Sequence, residues 1–295
     1  MELYRHIRDV LCEGGMDAGE ARAVALLLLE KVCGMTTAEA LTAVGDGDDG
    51  KWGRLLEMAR RVGGGEPVQY VLGEADFCGI PMCVKPGVLI PRPETEELVE
   101  WVARDGGVGR VLDVCTGSGC VAVALARRFP DAVVEAWDVS EVALDVARMN
   151  AERCGVGVTV RRVDVLDDEE VARAMGKKWN VVDDEAAVAT GKKWDVVVSN
   201  PPYVCAAEAA EMEARVLEHE PRLALFVPDE DPLMFYRQIA RWGKEALSDG
   251  GRLYFEINRR FGNEVVAMLA EMGYEGVELR QDFCGNDRMV KAIKG

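Results

Sequence analysis

The sequence has few of the side chains that most often bind metals. It contains two histidines, His6 and His219, and its nine cysteines include no Cys-x-x-Cys pair. No His/Cys cluster with zinc-ligand spacing is present, so no metal site is expected. An odd number of cysteines in a chain of 295 residues indicates reduced thiols rather than a disulfide framework. His219 lies between two glutamates, and we interpret it as a solvated helix-end residue rather than a catalytic base.

Long hydrophobic runs are also absent. The longest aliphatic run, residues 23–29, is bounded by Arg22 and Glu30, whereas a membrane-spanning helix needs about 20 apolar residues. The first residues contain no apolar stretch of the signal-peptide kind. We therefore expect a cytoplasmic protein with no membrane partner.

Positive charge is scarce. Lysine and arginine number 35 against 52 aspartates and glutamates, and the net charge is −17. Proteins that bind a phosphate backbone obtain much of their affinity from basic side chains. The balance therefore disfavours direct nucleic-acid binding and favours a protein or small-molecule substrate.

A polar tetrapeptide follows the apolar run 195–199, which the pattern predicts to be a buried strand. Asn200 is followed by Pro201 and Pro202, which fix their own φ and lack an N–H group. The Asn200 side-chain oxygen and the Pro201 carbonyl therefore form a stiff pair of acceptors, suited to a planar –NH2 group. Tyr203 adds a flat face against which such a group can pack.

A glycine-containing turn follows the strand predicted over 110–114 and leads into a helix predicted over 119–128. Its residues are Cys115, Thr116, Gly117, Ser118 and Gly119, preceded by Asp113. Glycines allow backbone to approach a ligand closely. The spacing differs from the G-x-G-x-x-G of dinucleotide-binding folds, so it argues against NAD.

Asp138 ends the next predicted strand, over 133–137. A carboxylate in that place is suited to accept hydrogen bonds from two ribose hydroxyls. The alternative is an ordinary strand-end or helix-capping aspartate before Ser140. The glycine turn and the Asn200 segment favour the ribose interpretation.

These motifs together resemble the HemK/PrmC family of class I S-adenosylmethionine-dependent methyltransferases. The resemblance extends over about residues 65 to 292 and includes 67–73, 89–96, 220–225 and 282–288. It implies methyl transfer from S-adenosylmethionine to the side-chain amide nitrogen of the glutamine in the Gly-Gly-Gln motif of peptide-chain release factors. Cys115 and Asn258 stand where the family has glycine.

The resemblance also implies roles for individual residues. Asn200, Pro201, Pro202 and Tyr203 would bind the substrate amide and catalyse the transfer. Cofactor-binding positions would be Arg92, Thr95, Asp113, Cys115, Thr116, Gly117, Ser118, Gly119, Asp138, Val165 and Asn200. For Arg92 and Thr95 a second interpretation stays open, a proline-bounded turn in which Thr95 caps a helix over 96–104.

The order of elements predicts an α/β fold: a Rossmann-like methyltransferase domain with a mostly parallel seven-stranded sheet, and a small N-terminal helical domain. The domains are expected over 1–62 (helical), 63–92 (a β-containing connector) and 93–295 (methyltransferase). The remaining strands are expected over 158–163, 194–199, 251–257, 276–280 and 288–293, with helices over 141–153, 232–247 and 262–271. The helical domain would recognise the substrate or would only pack against the rest.

The heptapeptide 176–182 recurs in closely similar form at 191–197. Only the second copy continues to Asn200, so we interpret the first as a local tandem duplication displaced to the surface.

Two other functions remain open. The tetrapeptide 200–203 also occurs in methyltransferases of exocyclic amines such as adenine N6, and a non-catalytic cofactor-binding scaffold would share the fold. The acidic charge disfavours the first, and the intact Asn200 and loop glycines disfavour the second.

Overall fold

The computed structural model describes residues 3–43, 50–176 and 193–295. The chain divides into two compact units. The first consists of Met1–Ala75, Val84–Pro86 and Met212–Glu220, and the second of Asp76–Cys83, Gly87–Glu211 and Pro221–Gly295.

Helices build most of the first unit. They are α1 (Leu3–Glu13), α2 (Ala18–Cys33), α3 (Thr37–Thr42), α4 (Gly50–Gly63) and α5 (Val68–Leu72). The spacing of Leu3, Ile7 and Leu11 places all three on one buried face of α1. Asp17 begins α2 by accepting the N–H groups of Gly19 and Glu20 at 2.8 and 3.2 Å.

The rest of the described chain alternates strands and helices. In chain order these elements are β1 (Glu74–Phe77), β2 (Ile80–Cys83), α6 (Pro93–Asp105), β3 (Arg110–Val114), α7 (Cys120–Arg128), β4 (Val133–Asp138), α8 (Glu141–Cys154), β5 (Val158–Arg162), α9 (Asp168–Ala174), β6 (Trp194–Ser199), β7 (Val204–Cys205), a 3-10 helix (Ala206–Glu211), α10 (Ala214–His219), α11 (Arg222–Leu225), β8 (Phe226–Val227), α12 (Met234–Ala246), β9 (Leu247–Glu256), α13 (Gly262–Glu271), β10 (Tyr274–Gln281) and β11 (Asp287–Lys294). Of these, α10 and the first two residues of β1 belong to the first unit.

A seven-stranded sheet in the order β10-β11-β9-β6-β3-β4-β5 forms the centre of the second unit. The strands from β9 to β5 are parallel, whereas β11 pairs antiparallel with both β9 and β10. The predicted mostly parallel α/β sheet is therefore confirmed. Val114 at the end of β3 pairs with Trp137 of β4 and with Ser199 of β6.

Both faces of this sheet are covered. One face packs against apolar side chains of α9, α12 and α13, such as Ile239 and Val265. The other packs against α6, α7 and α8, with Leu98 and Leu125 fully buried. Strands covered on both faces are typical of parallel sheets and explain the unbroken valine run 196–198.

The structure also corrects local expectations. Helix α9 was not predicted from the sequence. It has only seven residues and begins with three consecutive acidic residues, so its apolar residues do not form a recognisable helical pattern. Arg92 precedes α6 and Pro93 takes its first position, so Thr95 lies inside the first turn. The interpretation of Thr95 as the cap of a helix over 96–104 is wrong. The first copy of the repeat, apart from Gly176, lies outside the described residues.

Within the ranges that the structure describes, no helix is long and apolar enough to cross a bilayer.

Candidate active site

A cavity of about 240 Å³ opens within the second unit, beside the carboxyl ends of β3, β4 and β6. The strand pairing that aligns Val114 with Trp137 and Ser199 makes Cys115, Asp138 and Asn200 neighbours at this edge. Ligands bind at this edge of open parallel sheets.

Most of the predicted site residues line this cavity. They are Arg92, Thr95, Asp113, Cys115, Thr116, Gly117, Ser118, Asp138, Val165, Asn200 and Pro202. Gly119, Pro201 and Tyr203 are not part of the lining. The sequence interpretation did not assign the apolar lining residues Val139, Leu166 and Phe235. Leu223, which is 61% exposed at the cavity, lies in the segment 220–225 that the resemblance included.

The buried carboxylate of Asp113 organises the loop. Its Oδ2 accepts the Thr116 hydroxyl at 2.5 Å and the Ala122 N–H, in the first turn of α7, at 3.1 Å. Burial raises the pKa of Asp113 to about 7, and the nearby Asp138 carboxylate acts in the same direction. Asp113 therefore fixes the turn between β3 and α7.

Asp138 fixes the other side of the same turn. Its Oδ2 accepts the Gly117 N–H at 2.8 Å, and its Oδ1 accepts the Ser140 N–H at 2.9 Å. The cap of α8 is Ser140, which accepts the Ala143 N–H, so Asp138 does not cap this helix. Burial raises the pKa of Asp138. Each oxygen keeps a lone pair, so the carboxylate can accept further hydroxyl donors from the cavity.

Three residues of the loop have left-handed backbone: Cys115, Gly117 and Gly119, with φ of 59°, 55° and 78°. For a residue with a side chain this conformation costs roughly 1–2 kcal/mol. Cys115 bears that strain, which explains in physical terms why a glycine suits the position. Burial raises the pKa of its thiol well above the ordinary range, so the thiol stays protonated at neutral pH.

Gly119 serves close packing rather than the cavity. A Cβ built on it would lie 2.8 Å from the Cβ of Ala147 in α8, whereas one built on Gly117 would have no heavy atom within 4 Å. The loop thus needs its two glycines for different reasons.

Asn150 is a buried polar residue that the sequence interpretation missed. Its Nδ2 donates to the carbonyl oxygens of Ser118 and Cys83 at 2.8 and 3.0 Å, and its Oδ1 accepts the Cys83 N–H at 2.7 Å. It thereby joins the loop to β2. The one sequence signal is an asparagine at a core-facing position of α8.

Asn200 belongs to a connected set of side chains. Its Nδ2 donates to Thr95 Oγ1 at 3.2 Å, and that hydroxyl donates to Glu256 Oε2 at 2.6 Å. The Tyr203 hydroxyl donates to Glu256 Oε1 at 3.1 Å. Burial raises the pKa of Glu256, while its hydrogen bond with Thr95 and the nearby Arg288 oppose the shift.

Asn258 restrains the same segment from its other end. Its Nδ2 donates to the Tyr203 carbonyl at 3.0 Å and to Glu208 Oε2 at 2.8 Å. A glycine, expected here from the resemblance, would make neither bond. In this chain the segment 200–203 is therefore held at its first and last residues.

No metal centre is formed by the described residues, since none of their His, Cys, Asp and Glu side chains come together in threes.

Comparison with known proteins places these features in a family. The profile of the PrmC N-terminal domain matches residues 2–73, and that of the methyltransferase small domain matches residues 93–175. The chain is 47% identical over 228 residues to a release factor glutamine methyltransferase of Bacteroides thetaiotaomicron, covering 77% of this chain and 76% of that one. It is 38% identical over 268 residues to a protein of the same name from Neisseria gonorrhoeae, covering 90% and 91%.

The loop glycines give a matched pair of substitutions. Gly119→Ala adds a steric clash to an unfavourable φ, and we expect it to lower the free energy of unfolding by about 3 kcal/mol. Gly117→Ala adds strain alone, so we expect a loss of about 1 kcal/mol. Urea unfolding of both variants measures the difference. Equal losses would show that α8 does not constrain position 119.

The raised pKa of Asp113 predicts a pH-dependent stability. The folded protein holds this proton more tightly than the unfolded chain, whose Asp pKa is about 4. The resulting stability is present below pH ~4 and is lost as the pH rises through about 7. Asp113→Asn keeps an oxygen acceptor but does not titrate, so its stability relative to wild type should rise by on the order of 2–3 kcal/mol between pH 5 and pH 8.

Urea unfolding at the two pH values tests this expectation. The exposed Asp131→Asn serves as the control and should follow the wild type. A parallel pH dependence of Asp113→Asn and wild type would mean that Asp113 is already ionised in the folded protein at pH 5.

Proposed function

The chain belongs to the release factor glutamine methyltransferase family, and on that premise we propose that it methylates the side-chain amide nitrogen of the glutamine in the Gly-Gly-Gln motif of peptide-chain release factors. S-adenosylmethionine is the proposed methyl donor. The observation that carries the proposal is the position of Asn200, restrained by Thr95 at the wall of the same cavity as Asp138.

The residues at the cavity fit this cofactor. Asp138 has spare lone pairs for a ribose diol, and apolar side chains such as Val139, Val165 and Leu166 offer a surface for an adenine ring. The Asp138 carboxylate at the cavity suits a cofactor with a positively charged sulfur. When bound, S-adenosylmethionine supplies the methyl group on that sulfur.

The proposed work of the protein is to bind and orient the substrate amide. An amide nitrogen is a poor nucleophile because its lone pair is delocalised into the carbonyl. The Asn200 Oδ1 and the Pro201 carbonyl would each accept one N–H of the –NH2 group and so direct its lone pair. The same two acceptors would stabilise the positive charge that develops on nitrogen.

We propose a protein substrate rather than a nucleic acid because of charge. A net charge of −17 opposes binding of a polyanion. We further propose that the helical segment 1–62 recognises the release factor outside the Gly-Gly-Gln motif. A cytoplasmic location follows from the same substrate, which acts in translation.

Substitutions at Asn200 and Asp138 should separate catalysis from cofactor binding. We expect Asn200→Ala to lower kcat at least ~100-fold with nearly unchanged cofactor affinity, since one preorganised polar partner is lost. Asp138→Ala should weaken cofactor affinity by about 1.5–3 kcal/mol through the loss of charge-assisted hydrogen bonds. Calorimetry with S-adenosylmethionine and single-turnover kinetics measure the two effects. Equal losses of affinity and rate in Asn200→Ala would assign this residue to the cofactor pocket instead.

Transfer of a radiolabelled methyl group identifies the substrate class. We expect label on the Gly-Gly-Gln glutamine of a full-length release factor, and far less on a short peptide with the same motif, because the peptide lacks the surface proposed to contact residues 1–62. Release factor with Gln→Ala in this motif is the control. Labelling of adenine in DNA or RNA, with none in release factor, would overturn the proposal.

A further inference from the structure

Asn200 works as an acceptor only if its amide presents the oxygen, not the nitrogen, to the substrate. We propose that Thr95 and Glu256 form a positioning pair that fixes this orientation of the Asn200 amide. The expected effects on kcat rest on the proposed function. The orientation of the Asn200 amide rests on the hydrogen bonds alone.

The direction of each bond follows from counting protons. Glu256 receives two hydroxyl donors and lies near the Arg288 guanidinium, so it acts as an acceptor, and each hydroxyl has one proton to donate. Glu256 accepts the Thr95 hydroxyl on Oε2 at 2.6 Å and the Tyr203 hydroxyl on Oε1 at 3.1 Å. Thr95 has therefore committed its only proton to Glu256, and its oxygen can only accept from Asn200.

The Asn200 amide must consequently direct its –NH2 group to Thr95, as the 3.2 Å contact between Nδ2 and Oγ1 shows. An amide turned by 180° would place its oxygen against a lone pair of Thr95 and lose the hydrogen bond. With Nδ2 so engaged, Oδ1 has no hydrogen-bond partner among the described residues and remains available to accept a substrate N–H.

Thr95 and Glu256 are both buried, and neighbouring groups hold them in place. Thr95 is 2% and Glu256 1% exposed, so water does not compete for their bond. Glu256 is close to the guanidinium of Arg288, which is in turn paired with Asp282 at 3.1 Å. Thr95 is held by the backbone of α6, because its N–H donates to the Arg92 carbonyl at 3.1 Å.

This role differs from cofactor binding. A cofactor-binding Thr95 would use its hydroxyl on the cofactor, whereas this hydroxyl has its proton on Glu256 and accepts from Asn200. Thr95 and Glu256 therefore act on the substrate amide through Asn200 without touching it.

Thr95→Val removes the hydroxyl at nearly constant volume and is the main test. We expect kcat for the release factor to fall at least tenfold, with the dissociation constant of S-adenosylmethionine changed less than threefold. Thr95→Ser restores the hydroxyl and should recover kcat to within about threefold of wild type. Thr159→Val, the same change at an exposed position of β5, is the matched control and should leave both quantities unchanged.

Glu256→Gln tests the other member. Its amide offers a donor where Glu256 has only acceptors, which allows the Thr95 hydroxyl to turn towards Asn200. We expect a fall in kcat of at least tenfold, again with the cofactor dissociation constant within threefold of wild type. An unchanged kcat in Thr95→Val or Glu256→Gln, or a cofactor affinity that falls in parallel with kcat, would overturn the inference.

A double-mutant cycle measured by unfolding tests the inference independently of methyl transfer. The unfolding equilibrium constants of Thr95→Val, Asn200→Ala and the double variant should reveal a coupling of at least threefold between the two positions. If the wild-type protein transfers no methyl group to release factor but this coupling is present, the proposed function is wrong and the inference about Thr95 and Glu256 still holds. Additive effects on unfolding would show that Thr95 does not hold Asn200.

Discussion

The parallel pairing of β3 with β4 and β6 is the constraint on which the site depends. Val114 lies opposite both Trp137 and Ser199, so the loop of Cys115, the carboxylate of Asp138 and the amide of Asn200 emerge at one level. A slip of one residue in either ladder would turn the side chains of that strand to the opposite face. Side chains at the two ends of β6 oppose such a slip: Asp195 accepts the N–H groups of Gly109 and Arg110, and the Ser199 hydroxyl donates to the Val114 carbonyl.

Three buried carboxylates surround this edge and do different work. Asp113 and Asp138 accept the backbone N–H groups of Ala122, Gly117 and Ser140, whereas Glu256 accepts two hydroxyls. Burial raises the pKa of all three. The charge that these groups carry when ionised is costly in isolation, and it becomes favourable once a cation enters the cavity. When ionised, the Asp113 and Asp138 carboxylates that line the cavity therefore favour a positively charged ligand.

Sequence reasoning was most successful where the determinants are local. The valine run, the double proline and the glycine turn each reveal a strand end or a loop within a few residues. The bond between Thr95 and Glu256 joins residues 161 positions apart, and that between Asn150 and Cys83 joins residues 67 apart. No local pattern encodes such pairs, because they exist only once the sheet brings the elements together. For the same reason the inclusion of Met212–Glu220 in the first unit could not be read from its own residues.

Trp137, the β4 partner of Val114, lies beside Trp194 and Trp242, and these three tryptophans behind the site offer a natural fluorescence signal. Trp137 lies next to Asp138, its carbonyl accepts the Thr116 N–H of the loop at 3.0 Å, and its ring centroid is 5.7 Å from those of Trp194 and Trp242. Indoles this close exchange excitation energy, and all three are shielded from water. We therefore expect a blue-shifted emission that is shared among Trp137 of β4, Trp194 of β6 and Trp242 of α12. Because Trp137 accepts the Thr116 N–H, we expect a rearrangement of the loop at the cavity to change the fluorescence of these residues without an added label.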